Sequence, residues 1–287
     1  MSDDDWGEWE AEDDEADVWE EEEPADPEED GGWVAAREHE GGAQSSLALG
    51  LIAMAPLLLA YELALAGEPG LRRNLAELAL FRALAPLGEA VDWLRPLLVS
   101  GGVLVALVAC FRRRVALVPS LGRIVLEGAV AAVVLGPLLA YAMRLFDGLP
   151  PELGEAGAPD LLVAGRLAGG AAYEELLFRV LAYGAVFMLA RRVALFFGGG
   201  EGASRWAADA AAVGLTSLAF AAVHLEVLAS HLGPGGEPYD PYVFLWRLLA
   251  GILLALLFRW RGPGVAAWCH ACFNVALLLG AGAEVLT

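Results

Sequence analysis

Apolar runs of membrane length recur from about residue 46 to the end of the chain, and this recurrence limits the fold more than any motif does. A bilayer core is crossed by about 20 consecutive apolar residues in helical form. Runs that meet or approach that length lie at about Ser46 to Leu65, Trp93 to Phe111, Ile124 to Met143, Leu161 to Ala190, Tyr242 to Trp260 and Gly264 to Leu286. A further run begins near Trp206, passes His224 and is apolar enough to continue as a helix to Leu232. Between Leu71 and Leu87, Arg72, Arg73 and Arg82 interrupt apolar positions at helical spacing, which predicts an interfacial helix. Pro- and Gly-rich loops are expected over Asp147–Asp160 and Gly233–Pro241. The chain is 57% hydrophobic with mean hydropathy +0.54, well above what a soluble domain needs. The expected fold is therefore all-α: a polytopic integral membrane helical bundle of about seven to eight transmembrane helices.

The formal net charge of −20 is a local property. The first 40 residues hold 20 Asp and Glu against the single Arg37, and the rest of the chain is close to neutral. Residues 1–44 also contain Pro24 and Pro27, lack apolar periodicity and bury too little surface to offset their chain entropy, so they read as a disordered acidic tail. They lack the basic start and apolar core of a signal peptide. Trp6, Trp9, Trp19 and Trp33 lie in this tail, which reads foremost as a solvating segment. Residues 45–287 then form the transmembrane domain, with a motif-bearing core at about 160–285. Ten arginines near predicted span ends fall on one side and five on the other. The positive-inside rule puts the N-terminus in the cytoplasm, and the composition suits a bacterial inner membrane. An acidic chain repels nucleic acid, so the expected partners are the lipid bilayer and a membrane protein or peptide.

The chemistry is concentrated where charge is most expensive. Within the fourth run, Glu174, Glu175 and Arg179 interrupt an apolar helix, and ionisable groups at bilayer depth are functional candidates by default. Helical spacing puts Glu175 and Arg179 on one face, where they can pair, and turns Glu174 in another direction. Glu175 with Arg179 reads equally well as a buried ion pair that fixes helix packing. Two neighbouring carboxylates in low dielectric do not both ionise cheaply, so one can carry charge while the other moves a proton. A glutamate poised in this way can deprotonate water, His224 can help hold that water, and His270 with Asn274 can offer donors to an oxyanion. Each polar residue taken singly is more often a packing contact, but the combined burial cost of the set on three helices favours function. Cys269 and Cys272 bracket His270 as Cys-His-Ala-Cys, a spacing read as packing rather than metal ligation.

The ordered set Glu174-Glu175-x-x-x-Arg179, Phe220-x-x-x-His224 and His270-x-x-x-Asn274 resembles the CPBP family, which comprises CAAX prenyl endoproteases and bacteriocin-processing or immunity proteins. The resemblance implies an all-helical intramembrane protease in which Glu174 activates water with help from His224. In it His270 and Asn274 form the oxyanion site, while Glu175, Arg179 and Phe220 support them. No cofactor is assigned; a divalent metal, zinc or cobalt, is left open by the resemblance. Two other classes compete. A non-catalytic membrane partner or immunity protein is disfavoured by the completeness of the motif set. A proton-coupled carrier using Glu174, Glu175 and His224 as a relay is disfavoured because no inverted hydropathy repeats with broken helices are visible.

Overall fold

The computed structural model describes residues 47–68, 72–146, 161–233 and 236–279. The described residues open with α1 (Leu47–Gly67), followed by the short α2 (Leu75–Leu80), a 3-10 segment (Arg82–Leu87), α3 (Ala90–Arg112) and α4 (Leu117–Leu145). Next comes α5 (Leu161–Glu175), which runs through a π-helical stretch (Leu176–Tyr183) directly into α6 (Gly184–Phe196). The rest is α7 (Glu201–Ala222), the single turn α8 (Glu226–Ala229), α9 (Pro241–Arg261) and α10 (Pro263–Leu278). The described residues contain no strand, only an isolated bridge between Leu225 and Glu237.

By length and composition α1, α3, α4 and α9 can each cross a membrane. The outer helices α3 and α4 turn Leu97, Leu104, Val105, Phe111, Val130 and Val133 outward. Such faces match lipid tails and have no place in water. Helix α10 has only 16 residues, about 24 Å of helix, and is enclosed by its neighbours. Its Val265, Ala266, Ala267, Cys269, Ala271 and Phe273 are buried against α1, α4, α5 and α9. A tight hairpin delivers it there. Asp240 caps α9 by accepting from the Tyr242 and Val243 amides, Gly262 at φ 87° ends it, and Pro263 starts α10 at once.

Two close approaches fix the seams on which the site depends. On α5, Gly165 and Gly169 form a small-xxx-small stripe against α1, where a Cβ at Gly169 would collide with Tyr61 and the Leu57 carbonyl. Across the bundle, a Cβ at Gly128 of α4 would lie 2.5 Å from Cβ of Trp268 on α10. Small residues thus let three backbones converge around α10.

Several expectations are corrected. Helix α7 does not continue to Leu232; it ends at Ala222, because Leu225 is extended and the 236–240 segment returns to pair with it. The Glu226 amide donates to the Glu237 carbonyl at 2.9 Å, and the Glu237 amide to the His224 carbonyl at 2.9 Å. The fourth run passes Arg191 and Arg192 to reach Phe196, with Arg191 tied to Glu201 at 2.7 Å. In place of an interfacial helix over 71–87 there is only α2 and a 3-10 segment, drawn inward because Glu77 is fully buried with Arg95 and Tyr61. The acidic tail, the expected Asp147–Asp160 loop and the part of the last apolar run beyond Leu279 lie outside the described residues.

The glycine seam gives a direct test. Gly169→Val should lower the detergent melting temperature, by overpacking of about 1–3 kcal/mol, whereas Gly184→Ala, with nothing within 4 Å of its added carbon, should leave it unchanged. Equal effects in a thermal-shift assay would contradict the α1–α5 packing.

Candidate active site

Because the glycine face of α5 is spent on α1, the next turn carries Tyr173, Glu174 and Glu175 into the interior, where α10 lies across them. Immediately after Glu175 the helix widens into its π-helical stretch. Such irregular turns recur at functional sites because they re-aim side chains within a helix.

Both carboxylates reach one imidazole. His270 Nδ1 lies 3.0 Å from Glu175 Oε1, and His270 Nε2 lies 3.5 Å from Glu174 Oε2. Glu174 and Glu175 turn in different directions yet meet the same ring: its two nitrogens sit on opposite sides, so one histidine in the α5–α10 seam spans two adjacent residues. A carboxylate only accepts, so the Nδ1 bond to Glu175 places a proton on Nδ1 and leaves Nε2 facing Glu174.

Arg179 balances Glu175. Its Nε lies 3.4 Å from Glu175 Oε2, with both side chains fully buried. Its Nη2 donates to the Gly251 carbonyl at 3.2 Å, and its guanidinium carbon sits 4.9 Å from the centre of the Phe220 ring. Two of its nitrogens, Nε and Nη1, make no hydrogen bond among the described residues. The ion pair and the aromatic face together offset a charge that burial alone makes costly.

Phe220 is the packing hub of the site. Its ring centre is 5.2 Å from that of His224, 5.8 Å from His270 and 5.4 Å from Phe178. The last turn of α7 is thereby held at the level of His270. His224 follows the end of that helix, with Nδ1 2.8 Å from the Phe220 carbonyl. A carbonyl cannot donate, so Nδ1 carries the hydrogen and Nε2 is the free acceptor of the neutral ring. His224 also lies within electrostatic range of Glu174. Asn274 comes one turn after His270, is half-buried and makes no hydrogen bond to the described residues of the site.

The sequence reading missed Asn74. Its Nδ2 donates to Glu174 Oε1 at 2.8 Å across 100 residues of chain. The available signal was local: Asn74-Leu-Ala-Glu77 has the spacing of a helix start with an acid at the third position. Cys269 and Cys272 are free thiols and Cys269 is core, in keeping with a packing role. Among the described residues no three His, Cys, Asp or Glu side chains are grouped to hold a metal ion.

Residues 158–276 match the family model described as Type II CAAX prenyl endopeptidase Rce1-like, in agreement with the resemblance to CPBP and CAAX proteases. All seven residues named from the motifs fall inside the matched segment, whereas Asn74 falls outside it. No curated protein and no solved structure matches the chain. At family level the match supports a CAAX-type intramembrane protease, and with the apolar helices an integral membrane protein.

If the Glu175–Arg179 pair is integral to this seam, Arg179→Leu should destabilise the protein by about 3–5 kcal/mol, because it leaves a buried carboxylate without its cation. Detergent melting would show this as a clear drop; an unchanged transition would contradict the pairing.

Proposed function

We propose that this chain, on the premise of the protease family matched by its central segment, is an intramembrane endopeptidase. It hydrolyses a peptide bond in a membrane-embedded or lipid-modified protein, or in a leader or sorting segment, with water activated by Glu174. The observation that carries this reading is the convergence of Glu174, Glu175 and Arg179 from one helical run on His270 from α10, with Phe220 packing His224 against the same group.

The chemistry follows from which lone pairs and protons are already committed. Glu174 has Oε1 occupied by Asn74 and Oε2 turned toward the interior, where it can take a proton from water. His224, with Nδ1 tied to the Phe220 carbonyl, offers Nε2 to that water and orients its lone pair toward the scissile carbonyl. Attack forms one C–O bond and places negative charge on the carbonyl oxygen. His270, held through Nδ1–H by Glu175, donates to that oxygen from Nε2 when the ring carries its second proton, and the Asn274 amide on the same helix supplies a second donor. The proton taken by Glu174 then passes to the departing amine nitrogen as the C–N bond breaks. Glu175 and Arg179 touch no reacting atom; they hold the imidazole and balance its charge.

The end of α7 at Ala222 supports the same reading. Broken backbone within a membrane protein is tolerated where it is buried in protein or lines a water-filled cavity. The 223–240 segment satisfies part of its own backbone through the Glu226–Glu237 and Glu237–His224 bonds. We also propose a cytoplasmic N-terminus. The arginines at the end of α9 and the start of α4 meet at Glu127, with Arg261 at 2.6 Å and Arg123 at 2.7 Å, which gathers positive charge at one end of the bundle.

Glu174→Gln should abolish turnover and leave melting close to wild type, and cells carrying it should accumulate an uncut membrane protein. Retention of more than about a tenth of wild-type turnover would remove Glu174 from the role of general base.

A further inference from the structure

Asn74 lies in the connection between α1 and α2, remote in sequence from every motif above and outside the matched segment. All four of its polar groups are committed, the backbone carbonyl by accepting from the Leu78 amide at 3.1 Å. Its Oδ1 accepts from the Ala76 amide at 2.8 Å and so caps α2, and its backbone amide donates to the Tyr61 hydroxyl at 2.7 Å. Its Nδ2 donates to Glu174 Oε1 at 2.8 Å. The cap settles the orientation of the amide: a backbone N–H can only donate, so the oxygen must face Ala76 and the nitrogen must face Glu174.

The support extends inward. The Tyr61 hydroxyl, having accepted from Asn74, donates to Glu77 Oε2 at 2.5 Å. Glu77, fully buried, is held in turn by Arg95 at 2.5 Å and Arg73 at 2.9 Å, and Arg95 also pairs with Asp92. Tyr61 is the residue against which Gly169 packs, and the Tyr61 and Tyr173 rings meet edge-on at 5.1 Å. A Cβ at Gly170, four residues before Glu174, would lie 2.8 Å from Asn74 Nδ2. Nothing at this place leaves the amide free to drift.

We propose that Asn74 is the positioning residue for the Glu174 carboxylate, and that the buried Tyr61–Glu77–Arg95 cluster exists to hold it there. One neutral N–H on Oε1 fixes the rotation of the carboxylate and presents Oε2 to His270 and to the attacking water. A cation in the same place would hold the carboxylate's charge as an ion pair; a single neutral amide fixes its orientation with a weaker hold on that charge. The catalytic glutamate is thus completed from the N-terminal part of the chain, which the motifs do not include. The catalytic half of this inference rests on the endopeptidase reading; the contact itself does not.

The experiment has two arms. In the first, detergent melting is compared for Asn74→Asp and for Asn74→Asp combined with Glu174→Gln. Aspartate keeps the α2 cap but sets a carboxylate against Glu174, so the single variant should melt well below wild type. The double variant should recover most of the loss, because the amide introduced at position 174 can donate to the carboxylate introduced at position 74. This arm is readable whether or not peptidase activity is found; a double variant no more stable than Asn74→Asp overturns the contact. In the second arm, Asn74→Ser keeps the cap and removes the donor. It should lower kcat by about tenfold or more with KM unchanged, as expected for one hydrogen bond to a charged group. Wild-type kcat in Asn74→Ser, or a loss confined to KM, overturns the positioning role.

Discussion

Charge buried in an apolar bundle must be partnered, and every other feature of this molecule is arranged to meet that requirement. Among the described residues three carboxylates are buried in the interior: Glu174, Glu175 and Glu77. Glu175 is balanced by Arg179 and bonded to His270, Glu77 is gripped by Arg73, Arg95 and Tyr61, and Glu174 is met at contact distance, among the described residues, by the neutral amide of Asn74 and the imidazole of His270. The asymmetry is informative. The two carboxylates held by arginines lock the packing around the site, whereas Glu174 is the one that the proposed mechanism turns toward water.

Packing makes these partnerships possible. Small residues on α5 and α4 bring α1, α5 and α10 close enough for side chains from four parts of the chain to meet. The α9–α10 hairpin, set by Asp240, Gly262 and Pro263, fixes the level of His270. Phe220 then matches the end of α7 to that level, packing both His270 and His224 although the helix stops two residues before His224.

Much of this was legible in the sequence for definite physical reasons. Apolar runs locate helices because lipid tolerates little else, and α1, α3 and α9 fall within a few residues of the expected bounds. Glu174, Glu175, Arg179 and His270 were legible as a cluster because four ionisable groups in such runs are costly without a use. The end of α7 was not legible: Leu225 to Leu232 is apolar enough for helix, and only the return of Glu237, a tertiary event, breaks it. Asn74 was hidden for the same kind of reason. Polar residues between spans are ordinary, and its partner lies 100 residues away. The shared imidazole of Glu174 and Glu175 escaped notice because helical spacing describes directions around one axis, not the reach of a ring from another helix.

The central claim is that water activated in this interior site cleaves a peptide bond. Its most direct test is to incubate purified protein with its native membrane fraction in water enriched in oxygen-18 and to sequence new C-termini by mass spectrometry. Hydrolysis at this site predicts new termini, each carrying one labelled oxygen, mapped to membrane-embedded or membrane-proximal segments. If no labelled new terminus appears above the level in membranes incubated alone, the residues gathered around His270 do not make a peptidase, and the account built on them is wrong.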